Sequence, residues 1–213
     1  MHMGFGVGDE ICAAPFQTGL WSDCPTDSPR IFQNRLSQVM IPHHVEGGEG
    51  SMVRFHIREA GAADQDKIVR FLSEAGMVIE GVLAPQTKYW LAESLPKLSL
   101  IGVIGVEQGP EAALLRSALV VPEKRAQGVG AALVRQVFAA CEQSGYRHLY
   151  CFSTTAGTYW QRWGFEEVPV AELVSAVPCA PQVLHFGRLG GLSSEVAWRK
   201  NLFDDGKAVS QTV

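Results

Sequence analysis

The alternation of polar and apolar positions becomes regular at Val53. Val53, Phe55 and Ile57 alternate with Arg54, His56 and Arg58, the period of two that predicts a half-buried strand. Between Ala63 and Ala75 the spacing lengthens. Ile68, Phe71, Leu72 and Ala75 recur at helical intervals, and Gly76 supplies a stop. Tyr89–Glu93 and Leu100–Glu107 predict two strands joined through Ser94-Leu-Pro-Lys97, and Ala112–Val121 predicts a third after the turn Gln108-Gly-Pro110. The strongest helical pattern is Gly128–Ser144, where Leu133, Val137 and Cys141 form one row, Val134 and Phe138 another, and Gly145 closes the run. Tyr146–Ser153 reads as a strand, Ala156–Trp163 as a short helix, and Phe165–Pro169 and Val196–Arg199 as late strands. Strand, helix, three strands, helix, strand, helix, strand is the order of a mixed α/β (α+β) domain, neither bundle nor sandwich.

Residues 1–51 sustain neither period. They hold six acidic residues against two basic ones, are rich in Gly, Pro and Ser, and end in Glu46-Gly-Gly-Glu-Gly-Ser51. This predicts an irregular, disordered leader, with at most one helical turn around Phe32–Met40. The folded domain is expected over 52–203, with a polar tail over 204–213.

The net charge of −4 and a pI near 5.9 leave no electrostatic footprint for nucleic acid or an anionic membrane. The longest apolar run, Leu98 to Val106, is nine residues, far short of the ~20 that span a bilayer. No basic region followed by an apolar segment marks a signal peptide, so a cytoplasmic protein is expected. Five cysteines without a C-x-x-C pair indicate neither a zinc site nor a disulfide framework, and reduced thiols are expected.

The chemically informative stretch runs from Leu119 to Val134. A strand leaves through Pro122, and Arg125-x-x-Gly128-x-Gly130 opens an amphipathic helix. A helix N-terminus there presents unpaired amides and the positive end of the dipole, and the glycines let a phosphate approach the backbone. A dinucleotide fingerprint needs a third glycine where Leu133 stands, and a Walker loop needs Gly-Lys-Ser/Thr. The pattern left, Arg/Gln-x-x-Gly-x-Gly/Ala, resembles the acyl-CoA pyrophosphate loop of the Gcn5-related N-acetyltransferases (GNAT).

The chain from Met52 to about Phe203 resembles that superfamily. More narrowly, Leu114–Pro122 and Ser153–Phe165, with its Thr-Thr, aromatics and Gly-Phe, resemble two groups: acetyltransferases encoded with arsenic-resistance operons, and the acetyltransferase domain of N-acetylglutamate synthases. The resemblance implies the GNAT fold, with a mixed sheet whose parallel strands, Leu114–Val121 and Leu149–Ser153, splay apart. It implies acetyl-CoA as co-substrate, lying along Leu119, Val120 and Val121, with its pyrophosphate on Arg125, Ala126, Gln127, Gly128, Val129, Gly130 and Ala131. It further implies direct transfer to an amine in a ternary complex, without metal, and an oxyanion met by a strand amide near Leu119. The expected partner is a small, amino-acid-like amine. Acetylation of a protein N-terminus or lysine, and acyl-CoA binding without catalysis, stay open, as does a homodimer.

Within such a site an amine must lose a proton. Glu107, at the end of an apolar strand, is the candidate base, directly or through water; otherwise it is a solvated residue before the turn. Many relatives carry a tyrosine where Trp160 stands. Tyr159, about 100° around the helix, is the candidate acid for the departing thiolate. Arg116 lies on an apolar strand, and a guanidinium buried alone is costly. It must pair with an acid such as Glu107 or Glu93, or fork a substrate carboxylate. Thr154 and Thr155 end the partner strand and are expected to bond cofactor or substrate, or to cap the next helix.

Overall fold

The computed structural model describes residues 53–203. The leader expected over 1–51 and the tail over 204–213 lie outside them. Every element predicted within this span is present. Strand β1 is Phe55–Glu59, helix α1 Gln65–Glu74, β2 Thr87–Ser94, β3 Ser99–Gln108 and β4 Ala112–Val120. Helix α2 is Val129–Gln143, β5 His148–Phe152, α3 Gly157–Arg162 and β6 Glu166–Val168. Two further helices, α4 (Val170–Ala176) and α5 (Pro181–Arg188), precede β7 (Ala197–Asn201). The hydrophobic pattern did not announce α4 and α5. They are seven and eight residues long, and Pro169, Pro178 and Pro181 around them read as loop punctuation.

The strands form one seven-stranded sheet in the order β1-β2-β3-β4-β5-β7-β6. All neighbouring pairs are antiparallel except β4 with β5. No described helix is long and apolar enough to cross a membrane.

Strand alternation divides the core. On one face, Leu133, Val137 and Cys141 of α2 pack on Ile104, Val106 and Leu115. On the opposite face, α1 sets Ile68 and Leu72 on Leu91 and Val103, while α4 and α5 set Leu173 and Val183 against Leu114 and Tyr150. The alternation that puts Val103 and Leu114 on this second face also puts Glu107 and Arg116 there. A charged seam therefore runs where the two apolar clusters meet.

Helix α1 is tied to the sheet by charge as well as packing. Arg58 on β1 holds Asp64 through two 2.7 Å bonds and Glu93 on β2 through Nε at 2.9 Å. Lys67 reaches Glu93 at 2.5 Å and His56 lies 3.3 Å from it. Arg58 holds the Asp64 carboxyl at about 2, well below its ordinary 3.8. Burial pushes Glu93 upward, but its bonds to Arg58 and Lys67 prevail and keep it below the usual range.

Candidate functional site

The site begins where β4 changes character. Its parallel ladder with β5 runs only from Ala112↔His148 to Leu115↔Cys151, so from Arg116 onward the β5-facing edge of β4 is unpaired. One residue later Ser117 adopts φ +54, a left-handed conformation uncommon for a residue with a Cβ. The register with β3 shifts at the same place, from Gly105↔Arg116 to Val103↔Leu119. Ser117 thus forms a β-bulge, which bends the strand and re-aims its remaining residues. The amide of Val121 donates to Ile101 on β3 at 3.0 Å. Strand alternation then turns Leu119 toward β3 and the amides of Ala118 and Val120 toward the open edge. The carbonyl of Val120 agrees, for it accepts from Arg125 Nε at 3.1 Å on that side.

Opposite this edge stands the start of α2. Gly128 is its N-cap, at φ +82, and no side chain caps the helix. The first-turn amides of Val129, Gly130 and Ala131 have no intrahelical acceptor. A Cβ built on Gly130 would lie 3.6 Å from both Tyr159 Oη and Val120 Cγ2, whereas one on Gly128 would meet nothing within 4 Å. Between edge and helix lies a cleft of about 460 Å³ lined by Ala118, Leu119 and Val120, by Arg125, Ala126, Gly128, Gly130 and Ala131, and by Ala156, Tyr159 and Trp160. Of the expected cofactor residues, three send their side chains elsewhere. Gln127 folds back onto the Glu123 carbonyl at 2.8 Å. Val129 is fully buried in the core, and Val121 packs against that same core. These three keep only their backbone for a ligand. A helix start free of side chains, facing an open strand edge across an apolar cleft, fits a long ligand with an anionic middle and a hydrogen-bonding amide arm.

The charged seam lies beside the bulge, on the sheet face that carries α5 and outside the lining of the cleft. Glu107 and Arg116 are 0% and 2% exposed, and Arg116 Nη1 pairs with Glu107 Oε1. Arg116 Nη2 donates to the Val78 carbonyl at 3.1 Å and Nε to Ser117 Oγ at 3.2 Å. The Glu107 carboxylate also accepts from the Gln182 amide at the start of α5, at 2.9 Å to Oε2. Tyr89 Oη lies 3.4 Å from Ser117 Oγ. Burial pushes the Glu107 carboxyl above its ordinary range against the pull of Arg116 and the Gln182 amide.

Two expectations change here. Glu107 is not a solvated residue before a turn, and its oxygens face Arg116 and α5 rather than an open cleft, so direct proton abstraction does not match its placement. Each guanidinium nitrogen of Arg116 donates to one protein acceptor, so of its two readings the structure forms the internal pair. The reason is the cost of burying either charge alone.

Tyr159 is 37% exposed and stacks edge-on against Trp160 at 5.1 Å. Its hydroxyl borders Gly130, the loop end of the cleft, rather than Ser117. Thr154 and Thr155 are exposed and do not line the cleft. They do not cap α3 either, whose N-cap is Ala156 without a side-chain capping bond; Ser153 Oγ accepts from the Ala156 amide at 3.2 Å in the turn before it. Cys141 and Cys151 are free and buried, and burial raises the Cys141 thiol to about 12. Among the described residues no group of three or more His, Cys, Asp or Glu is placed to hold a metal ion.

Sequence reasoning missed Ser117, Tyr89 and Gln182. One signal was available for Tyr89. It pairs across the strands with Gly105, and its ring covers that glycine so closely that a Cβ there would fall 2.4 Å from a ring carbon.

Residues 85–167 match the family model of the acetyltransferase (GNAT) domain. Among solved structures, a GNAT-family acetyltransferase from Staphylococcus aureus Mu50 is 17% identical with a TM-score of 0.56, over 70% of this chain and 100% of that one. N-acetylglutamate synthase from Neisseria gonorrhoeae, complexed with CoA and N-acetyl-glutamate, is 17% identical with a TM-score of 0.55, over 70% of this chain but 35% of that one. This chain therefore spans about a third of that synthase. Rv2747 from Mycobacterium tuberculosis, in complex with CoA, is 17% identical with a TM-score of 0.54, over 69% and 99%. No curated protein matches the chain. At these identities the likeness is one of fold.

Proposed function

We propose that this chain, whose residues 85–167 form a GNAT acetyltransferase domain, moves acetyl from acetyl-CoA to the amine of a small amino-acid-like molecule, directly in a ternary complex. The observation that carries the reading is the pairing of an unpaired β4 edge with a side-chain-free start of α2 across one apolar cleft. The amides of Val129, Gly130 and Ala131 would hold the pyrophosphate, and the β4 edge at Ala118 and Val120 the pantetheine arm. Acetyl-CoA would supply an activated acyl thioester there. The Ala118 amide at that edge would stabilise negative charge on the acyl oxygen.

The acceptor class rests on the resemblance to N-acetylglutamate synthases, because Arg116 is engaged by Glu107. The proton leaving the amine would pass to water, since Glu107 is enclosed. A thiol with an ordinary pKa near 8.5 can depart as thiolate near neutral pH, so Tyr159 at the loop end would serve the cofactor instead of the sulfur.

A second reading, acyl-CoA binding without turnover, is favoured by one observation: no carboxylate lines the cleft. Release of free thiol from acetyl-CoA against a panel of amino acids separates the two. Calorimetric binding of acetyl-CoA with amine-dependent thiol release is the expected result. Binding without release supports the second reading, and absence of binding overturns both.

A further inference from the structure

The polar seam beside the bulge has more connections than a buried ion pair needs, and they converge on one strained residue. Ser117 holds a left-handed backbone without being glycine, an arrangement that persists only where its surroundings over-determine it. Two groups grip its hydroxyl. Arg116 Nε donates to it at 3.2 Å, and Tyr89 Oη lies 3.4 Å away. Each of these is held in turn. Arg116 is pinned by Glu107 and the Val78 carbonyl, and Glu107 by the Gln182 amide. Tyr89 lies flat on Gly105, where no side chain could share the space. Strands β2, β3 and β4, the turn before β2, and α5 thus all brace one bulge.

We infer that Ser117 is a positioning residue whose hydroxyl, clamped by Arg116 and Tyr89, holds the β4 bulge so that the next amide, that of Ala118, faces the acyl carbonyl of the bound co-substrate. This rests on the acyl-CoA reading above. Neither Ser117 nor Tyr89 touches the reacting atoms. They set the angle at which β4 leaves its ladder with β5. Glycine at 117 would accept the same φ without strain but would free the bulge to relax. Tyr89→Phe would remove one grip and keep the ring over Gly105.

The test compares two ligands by calorimetry on the full chain: acetyl-CoA, and S-ethyl-CoA, which lacks only the carbonyl oxygen. A hydrogen bond to that oxygen is worth roughly two- to tenfold in affinity, so the wild-type protein should prefer acetyl-CoA by about that factor. Ser117→Gly and Tyr89→Phe should each bring the ratio toward one while S-ethyl-CoA affinity stays within about twofold. A purely structural role would lower the melting temperature and leave the ratio alone, and that result overturns the inference. So does an equal affinity of the wild type for both ligands, with the cofactor reading intact. Binding of neither ligand overturns that reading and the inference with it. Should Ser117→Gly fail to fold, Tyr89→Phe carries the comparison.

Discussion

Gly128 and Gly130 stand two residues apart and are glycine for different reasons. Gly128 sits at φ +82 in open space, so its demand is conformational. Gly128→Ala should cost about 1 kcal/mol of stability from the left-handed backbone alone. At Gly130 a Cβ would make ordinary contacts, so on the proposed acyl-CoA reading its demand would come from the ligand. Gly130→Asp should leave the melting temperature unchanged or slightly raised, because a carboxylate suits a helix N-terminus. It should weaken acetyl-CoA at least tenfold in calorimetry, because that carboxylate would occupy and repel the phosphate site. Arg116 and Glu107 pose the opposite kind of demand, since each makes the other's burial tolerable. Arg116→Met strands a buried carboxylate and should cost about 3–5 kcal/mol in urea unfolding. Adding Glu107→Leu should recover part of that loss, because removing both charges is far cheaper than removing one.

Among the elements, α1 shows how a helix is held where packing is thin. Only Ile68 and Leu72 of α1 are buried, and its N-terminal turn is moored to β1 by the Arg58–Asp64 pair. A carboxyl held at about 2 in the fold, against 3.8 when free, binds fewer protons folded than unfolded. Its contribution is therefore complete above the free value and is lost as pH falls toward about 2. Asp64→Asn should flatten the melting temperature between about pH 4 and about pH 2. At neutral pH it should cost less than about 1 kcal/mol, since Arg58 is partly exposed and the pair is screened. Strand β4 shows a different balance. Its first half is locked into the sheet on both edges, and its second half gives up one ladder to open the cleft. Those unpaired backbone groups are the ones a ligand can satisfy.

For the whole molecule, that opening links binding to folding. A ligand bound only by the native state stabilises it by about 2.7 kcal/mol at a hundred times its Kd. Saturating acetyl-CoA should therefore raise the melting temperature of the wild type by several degrees and leave Gly130→Asp nearly unmoved. Thermal melts with and without ligand read both. An equal rise in both proteins would place the ligand away from α2.

The linear pattern was enough for every element long enough to repeat its period, from the alternation at Val53 to the two apolar rows of α2. It was also enough to set Gly128 and Gly130 at the start of α2, because a helix start with glycines is a local device that needs no distant partner. Helices α4 and α5 escaped because Pro169, Pro178 and Pro181 read as loop punctuation in the sequence. The placement of β7 between β5 and β6 escaped because strand order is set by packing across the sheet. The identity of Arg116's partner stood open for the same reason. Two acids were within reach in principle, and only the register of β3 against β4 put Glu107 beside it. Ser117 was invisible in the sequence, because nothing about a serine on an apolar strand marks a left-handed backbone. That conformation is imposed by Tyr89, Arg116 and the register shift together, and such strain exists only once the strands that brace it have met.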